Sequence, residues 1–261
     1  MALDVGRFLF SPGRKLCGFL IEARSERGVF RKILNVAAGH GARLKLSHFQ
    51  SLKEEKQILV FFDCTECDVE PQELMDEISR SRSVISIKPI EPQIEGFLAD
   101  TVSHPLQIAG DRAIILRKPL YEGLIRGVRE RFGSGGEAFL YHIGYEIGRK
   151  AGAAHREIAL KLGVADLERI FKHIGGTIFQ CVGFGIPQIV KFTLRPLQII
   201  MRVYSLFECE LGRGAGKPYS YLVRGMLTGV TTELFNTPTT VTETKCIAKG
   251  DPYCEFTIKP T

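Results

Sequence analysis

Three glycines recur at every fourth position in one stretch of this sequence, and they limit how the surrounding chain can fold. Within residues 136–154, GEAFLYHIGYEIGRKAGAA, Gly144, Gly148 and Gly152 fall on one face of a predicted helix. Each glycine costs a helix roughly 0.8–1 kcal/mol relative to alanine. Residues 219–235 repeat the pattern with Gly225 and Gly229. We therefore expect two helices that pack closely through small faces, and a backbone-lined ligand wall is the alternative.

The sequence before residue 95 alternates between strand-like and helix-like patterns. Strands are predicted at 17–23, 42–50, 56–64 and 83–90, and helices at 26–41 and 69–81. This βαββαβ order predicts a ferredoxin-like domain, in which two helices cover one face of a four-stranded sheet. The segment EPQIEGF (91–97) combines proline, glycine and acids, which favours a linker. The predicted domains are therefore 1–95 and 96–261.

The segment SERGVFRKILNVAAGHGARLKLSHFQS resembles the opening of an ACT domain, a regulatory module that commonly senses amino acids. The resemblance covers roughly residues 16–90. It implies that Gly28 allows a strand-to-helix turn and leaves the helix N-terminal amides accessible to an anionic ligand. A plain helix start is the alternative interpretation of Gly28.

The second predicted domain begins with helices and continues as an antiparallel meander of strands at 176–184, 187–194 and 196–211. The whole chain is therefore predicted to be α+β, with a mixed α/β second domain of packed helices and an antiparallel sheet. Residues 157–174 mimic a helix-turn-helix, although any globular protein can contain such a string. Four apolar residues are candidates for a ligand pocket, with His173 as its polar group; ordinary core is the alternative. These four are Phe179, Phe192, Met201 and Phe207.

The C-terminal tail, VTETKCIAKGDPYCEFTIKP (241–260), predicts a hairpin with cysteines on both sides of its turn. Glu243, Cys246 and Cys254 are ligands suited to zinc, and Cys209 is a candidate fourth ligand by elimination. Water or a partner residue could fill that position instead. Because Glu243 and Cys246 lie an odd number of residues apart, sharing one face requires a bulge or an early turn. A Cys246–Cys254 disulfide and two ordinary buried cysteines are the alternatives.

The tail pattern E-x-x-C-x-x-x-G-D-x-x-C-x-F resembles the 4-vinyl reductase-type domain over roughly residues 100–259. Its relatives include the input domains of phenol-responsive bacterial activators and, by fold, small subunits of TRAPP tethering complexes. The resemblance implies a domain that dimerises and holds a small hydrophobic ligand. Glu243, Cys246 and Cys254 match three zinc ligands of the phenol-sensing domains. The additional cysteine of those domains falls where this chain has Thr231 and Thr232.

Composition excludes several classes of protein. With 44% hydrophobic and 25% charged residues, the chain has enough apolar material to fold. Basic and acidic residues balance over residues 1–98, so the net charge of +6 comes from the rest, where it is scattered. Scattered charge argues against direct nucleic-acid binding. We expect no membrane insertion and a cytoplasmic location, because no apolar run is long enough to span a bilayer.

The seven cysteines are an odd number at irregular spacing, which favours thiols or metal ligands over structural disulfides. Cys64 and Cys67 form a CxxC pair that is a candidate redox or metal half-site. The sequence contains no recognisable catalytic constellation. We therefore expect a homodimeric small-molecule sensor or regulatory protein. The alternatives are an enzyme such as a reductase or tetrapyrrole-handling protein, a TRAPP-like adaptor, and a DNA-binding transcriptional regulator.

Overall fold

A computed structural model describes residues 3–51 and 54–261, and the chain separates into two compact units that divide after Ile114. The first unit contains a four-stranded antiparallel sheet in the order β3-β4-β2-β5. Its helices begin where the sequence places glycine or proline, at Gly28 and Pro71. Its elements are β1 (Phe8–Phe10), β2 (Leu16–Arg24), α1 (Val29–Gly39), β3 (Arg43–Ser51), β4 (Glu55–Asp63), α2 (Pro71–Ser79), β5 (Val84–Ile90), β6 (Phe97–Ala99), β7 (Gln107–Ile108) and β8 (Asp111–Arg112).

The two helices of the first unit cover one face of its sheet. Alternate apolar residues of β2 and β4, such as Ile21 and Ile58, pack against Ile33 of α1 and Leu74 of α2. All four side chains are almost completely buried. The structure therefore confirms the ferredoxin-like βαββαβ order.

The first unit extends beyond the predicted boundary at residues 95 and 96. Strand β6 pairs antiparallel with β1, and Leu98 packs on the second face of the sheet with Leu20 and Phe61. The chain after residue 95 therefore completes the core of the first unit and is not a linker. The short β7–β8 hairpin also belongs to this unit, which ends at Ile114.

The predicted CxxC half-site does not form. Cys64 follows β4 and is disulfide-bonded to Cys17 of the neighbouring β2, with 6.5 Å between the two Cα atoms. Strands β2 and β4 are paired, with Leu16 opposite Asp63, and this register brings Cys17 and Cys64 together. Cys67 is a free, half-buried thiol. The preference for thiols throughout the chain was therefore wrong for this pair of cysteines.

The second unit combines long helices with a four-stranded antiparallel sheet in the order β11-β12-β10-β9. A turn of π-helix (Ile170–Gly175) precedes α5, and a 3₁₀ turn (Ile247–Lys249) precedes the last strand. These features confirm the predicted α+β class. The elements are α3 (Lys118–Lys161), α4 (Leu167–Arg169), α5 (Gly176–Cys181), β9 (Ile186–Leu194), β10 (Leu197–Tyr204), α6 (Phe207–Leu211), α7 (Tyr221–Phe235), β11 (Thr239–Lys245) and β12 (Cys254–Pro260).

The recurring glycines mark where α3 and α7 approach each other. A Cβ atom added at Gly144 or Gly148 would collide with the backbone of α7, at the carbonyls of Leu222 and Met226 respectively. Reciprocally, a Cβ atom at Gly225 would collide with the α3 backbone. The expectation of two helices packing through small faces is confirmed.

Parts of the predicted strand meander are wrong. Residues 176–181 form α5 instead of a strand, and the strand that starts at Leu197 ends at Tyr204. Ser205 then has a left-handed backbone (φ 50°), and α6 follows, so the alternation predicted as far as Cys209 stops early. The helix-turn-helix mimic is an ordinary turn, in which the Asp166 side chain accepts a hydrogen bond from the Arg169 amide at 2.7 Å. Among the described residues, no helix is both long and apolar enough to cross a membrane.

Candidate metal centre and ligand cavity

Four predicted metal ligands come together in the second unit. Cys209 of α6, Glu243 of β11, Cys246 just after β11 and Cys254 of β12 place their ligand atoms within 4.8 Å of one another. The Cys246 Sγ lies 3.5 Å from the Cys209 Sγ and 4.0 Å from the Cys254 Sγ. The Cys209 Sγ lies 3.7 Å from Glu243 Oε1. All three cysteines are fully buried.

A local irregularity in the hairpin brings Glu243 into this cluster. The pairing of β11 with β12 shifts its register between Glu243 and Lys245. The shift removes the odd-number mismatch between Glu243 and Cys246, as the sequence required. A 3₁₀ turn ending at Gly250 (φ 101°) closes the hairpin. The Asp251 carboxylate fixes this turn by accepting a hydrogen bond from the Cys246 amide at 2.8 Å.

The donor set fits a tetrahedral metal ion. Zinc–sulfur bonds of about 2.3 Å place the sulfurs of a tetrahedral site about 3.7 Å apart, close to the separations found here. Glu243 Oε2 is buried and has no hydrogen-bond partner among the described residues. Burial raises the pKa of Glu243 to about 7. A divalent cation would supply both the missing partner and the positive charge that favours the carboxylate form.

The thiols of the centre influence one another. Hydrogen bonding from Cys209, then from Cys254, lowers the pKa of Cys246, while its hydrogen bond to Cys246 raises the pKa of Cys209. One sulfur of the cluster is therefore the preferred thiolate. A thiolate held among two further sulfurs and a carboxylate is a suitable ligand set for a thiophilic divalent metal.

Helix α6 carries Cys209 and is held in place by a buried ion pair. Glu208 is fully buried and accepts hydrogen bonds from Arg129 at 2.8 Å and from the amides of Leu222 and Val223 at 3.0 and 2.9 Å. Because the two amides belong to the first turn of α7, Glu208 caps that helix. Burial raises the pKa of Glu208 to about 7. The position of Cys209 is thereby tied to α3 and α7.

A separate apolar cavity of about 100 Å³ lies among α3, the π-helical turn, α5, α7 and the sheet. Its lining contains one polar side chain, that of His155. Cavities of this kind suit small apolar molecules, because an engineered cavity of about 150 Å³ in another protein binds benzene. The lining residues are Ala151, His155, Phe171, Gly175, Gly176, Ile178, Phe179, Val182, Phe184, Ile189, Met201, Met226, Leu227 and Val230.

His155 is the polar group of the cavity. Its side chain is buried, and its Nδ1 has no hydrogen-bond partner among the described residues. Burial lowers the pKa of His155, which keeps the imidazole neutral near pH 7. Gly175 makes room for the ring, since a Cβ there would lie 3.0 Å from the His155 Nδ1. A neutral imidazole with a free nitrogen can hydrogen-bond to one polar group of a ligand.

The predicted pocket residues have different positions in the structure. Phe179 and Met201 line the cavity. Phe207 lies outside the lining and stacks on the lining residue Phe184, with ring centroids 5.1 Å apart. Phe192 also lies outside the lining, where it packs against Phe171 with 6.3 Å between ring centroids.

Two other predicted ligand residues lie away from the cavity. His173 is exposed, because the π-helical turn buries Phe171 and directs His173 to the surface. His155 takes the role assigned to His173, and the glycine-rich pattern around it gave no signal for that role. Gly28, in the first unit, begins α1 with a left-handed backbone (φ 80°), and nothing in that unit tests whether it binds a ligand.

The second unit is thus a small α+β domain in which paired helices cover an antiparallel sheet, with a cysteine–glutamate cluster beside a closed apolar cavity. Residues 199–260, which include the whole cluster, match the model of the vinyl-4-reductase domain. An uncharacterized protein of Methanocaldococcus jannaschii is 25% identical over 127 residues, or 49% of this chain. The match spans 66% of that relative, just under two thirds of its length.

Two solved structures are similar in fold. The phenol-responsive sensory domain of the transcription activator PoxR, solved with phenol, has a TM-score of 0.52 at 16% identity, covering 59% of this chain and 79% of that domain. A vinyl-4-reductase family protein from Methanocaldococcus jannaschii has a TM-score of 0.37 at 23% identity, covering 57% of this chain and 84% of that protein. At these identities the PoxR likeness establishes shared fold. The ACT-like identity of the first unit stays a prediction.

Proposed function

We propose that this protein is a cytoplasmic small-molecule sensor whose second unit binds a small, neutral, mostly apolar ligand in the closed cavity. The observation that carries the proposal is the free Nδ1 of His155, a buried polar atom without a partner among the described residues, in an otherwise apolar lining. A buried polar group is unfavourable unless a partner satisfies it. A ligand with one hydrogen-bonding group on an apolar body supplies that partner.

The cavity restricts the ligand further. Its volume of about 100 Å³ suits a molecule of roughly one aromatic ring. A charged ligand is disfavoured because the lining offers no countercharge and the imidazole is neutral. The fold shared with the phenol-responsive sensory domain of PoxR supports an aromatic alcohol as the first compound to test.

The metal centre is proposed to hold one structural zinc ion. Cys209, Glu243, Cys246 and Cys254 would complete a tetrahedral set without leaving a position open for a substrate. Four protein ligands with no open position are typical of structural sites, whereas catalytic zinc usually keeps a water ligand. When bound, the ion holds α6, β11 and the final hairpin together.

Signalling is proposed to pass through a homodimer, in which ligand binding shifts the population between two arrangements. Helix α3 exposes Phe132, Phe139, Ile143 and Ile147, and exposed apolar residues clustered on one element favour an interface. The ligand must bind the two arrangements with different affinities, since equal affinity shifts nothing. No direct contact with nucleic acid is proposed.

The ligand proposal is tested by titrating the purified full chain with phenol and toluene in a calorimeter. Phenol should bind more tightly than toluene, because only phenol can hydrogen-bond to the His155 nitrogen. His155→Leu should reduce phenol affinity to the level of toluene, while the exposed control His173→Leu should behave like the parent protein. Equal binding of phenol by both variants would contradict the proposal.

Native mass spectrometry and elemental analysis of the same preparation separate the competing functions. The proposal predicts one zinc ion per chain and a cavity that exchanges small ligands. A copurified redox cofactor would instead favour an enzyme. A permanently retained acyl chain would favour a structural adaptor.

A further inference from the structure

We propose that the second unit has another ligand site, for a small monocarboxylate, in an open cleft between α3 and α7 centred on Arg224. This cleft shares no lining residue with the closed cavity. The polar and aromatic side chains that line it are Ser134, Glu137, Tyr141, His142, Tyr221 and Arg224. Unlike the closed cavity, the cleft is therefore rich in charged groups and hydrogen-bonding groups.

Arg224 is fixed in position but has no charge partner among the described residues. Its guanidinium carbon lies 4.5 Å from the ring centroid of Tyr221 and 5.9 Å from that of Tyr141. Its Nε atom is buried and has no hydrogen-bond acceptor in the described part of the chain. Stacking on two rings orients the planar guanidinium and leaves its hydrogen-bonding edge available to an acceptor.

The other partly buried arginines of the second unit show how unusual this arrangement is. Among the described residues of that unit, three arginines are buried or half-buried. Arg129 pairs with Glu208 at 2.8 Å, and Arg202 pairs with Glu255 at 2.8 Å. Arg224 has no such carboxylate within residues 3–51 and 54–261. An acceptor from outside the chain would complete it as Glu208 and Glu255 complete the other two.

The nearest acid cannot serve as that acceptor. Glu137 accepts a hydrogen bond from Lys217 at 2.9 Å and is paired with Arg129 at 3.4 Å. Its negative charge is therefore already compensated by two cations. The Tyr141 hydroxyl donates to Thr228 Oγ1 at 3.2 Å and is also engaged. The cleft thus offers a ligand Arg224, Ser134 and His142 as hydrogen-bond donors.

The charge balance selects the class of ligand. A guanidinium fork matches the two oxygens of a carboxylate, and one uncompensated positive charge calls for one negative charge. A phosphate dianion would bring a second negative charge close to Glu137. The faces of Tyr141 and Tyr221 favour a flat apolar body attached to the carboxylate. Benzoate combines these properties and is the probe.

The test is a calorimetric titration of the full chain with benzoate and with benzamide, its neutral analogue, at constant ionic strength. Benzoate should bind more tightly than benzamide. Arg224→Met should weaken benzoate binding at least tenfold, and Arg224→Lys, which keeps the charge but loses the fork, should give an intermediate value. Arg131→Met, which removes an exposed arginine of α3, should leave binding unchanged.

Three results would overturn the proposal. One is benzoate binding no better than benzamide. Another is undiminished benzoate binding by Arg224→Met, which would place the probe in the closed cavity or elsewhere. The third is a shift of the monomer–dimer equilibrium by Arg224→Met in sedimentation without any effect of benzoate, which would assign Arg224 to a carboxylate of a second copy. If Arg224→Met fails to fold, Arg224→Lys decides, and unchanged affinity in that variant contradicts the site.

Discussion

The Glu208 carboxylate and the Arg129 guanidinium form an ion pair at 2.8 Å inside the second unit, one residue before the metal ligand Cys209. Phe207, on the other side of Glu208, stacks on the cavity residue Phe184. Three consecutive residues of α6 therefore contact the cavity wall, the N-terminus of α7 and the metal centre. This short helix links the three features through direct contacts.

Truncation of the buried carboxylate is expected to destabilise the second unit strongly. Glu208→Ala leaves the Arg129 charge buried and two α7 amides uncapped, and breaking a buried pair typically costs about 3–5 kcal/mol. Urea unfolding measures the loss. Glu255→Ala is the matched control, because the Arg202–Glu255 pair is more exposed and should contribute about 0.2–1 kcal/mol. Equal losses in the two variants would show that the buried pair has no special role.

The helix contact gives a prediction with opposite signs at two glycines of α3. Gly148→Ala places a methyl group against the Met226 backbone and should destabilise the fold by about 1–3 kcal/mol. Gly127→Ala meets no atom within 4 Å and should stabilise the same helix by up to about 1 kcal/mol. Thermal unfolding of both variants measures the difference. Destabilisation of both by similar amounts would contradict the close approach.

Removal of one metal ligand should release the metal. Cys246→Ser should leave the purified chain without zinc by elemental analysis, because its sulfur lies nearest the other two. Glu243→Gln should weaken zinc binding by at least about 10- to 100-fold in competition with a chelator. Cys181→Ser, which changes an exposed free cysteine, is the control and should retain the metal. Retention of zinc by Cys246→Ser would show that the cluster is not the binding site.

The sequence predicted the features that depend on local spacing. The periodic glycines predicted the contact between α3 and α7, and the odd spacing of Glu243 and Cys246 required the irregularity found in β11. Cys209 was identified only by elimination, yet it lies within the cluster. These successes rest on period and parity, which fix the direction of side chains without knowledge of distant contacts.

The failures depend on tertiary contacts. Apolar alternation predicted a strand through Phe207 and Cys209, but a buried Glu208 needs donors, and these come from α7 and from Arg129. Helix α6 provides that geometry and a strand does not. His155 was missed because its role depends on Gly175 lying against its ring, a contact between residues twenty positions apart. Local pattern carries no information about such pairs.

The stability of the first unit should depend on pH through His40. Its Nδ1 contacts Asp68 and its Nε2 contacts Glu77, both at 2.8 Å, so protonation of both nitrogens satisfies both carboxylates. Hydrogen bonding to Glu77, then to Asp68, raises the pKa of His40 above its ordinary 6.5. The stabilisation is therefore complete below about pH 6.5 and is lost as pH rises through the raised pKa. Amide hydrogen exchange of α2 should become faster over that interval, and His40→Gln should remove the dependence. The exposed control His173→Gln should keep it, and parallel pH profiles for His40→Gln and the parent protein would contradict the role of His40.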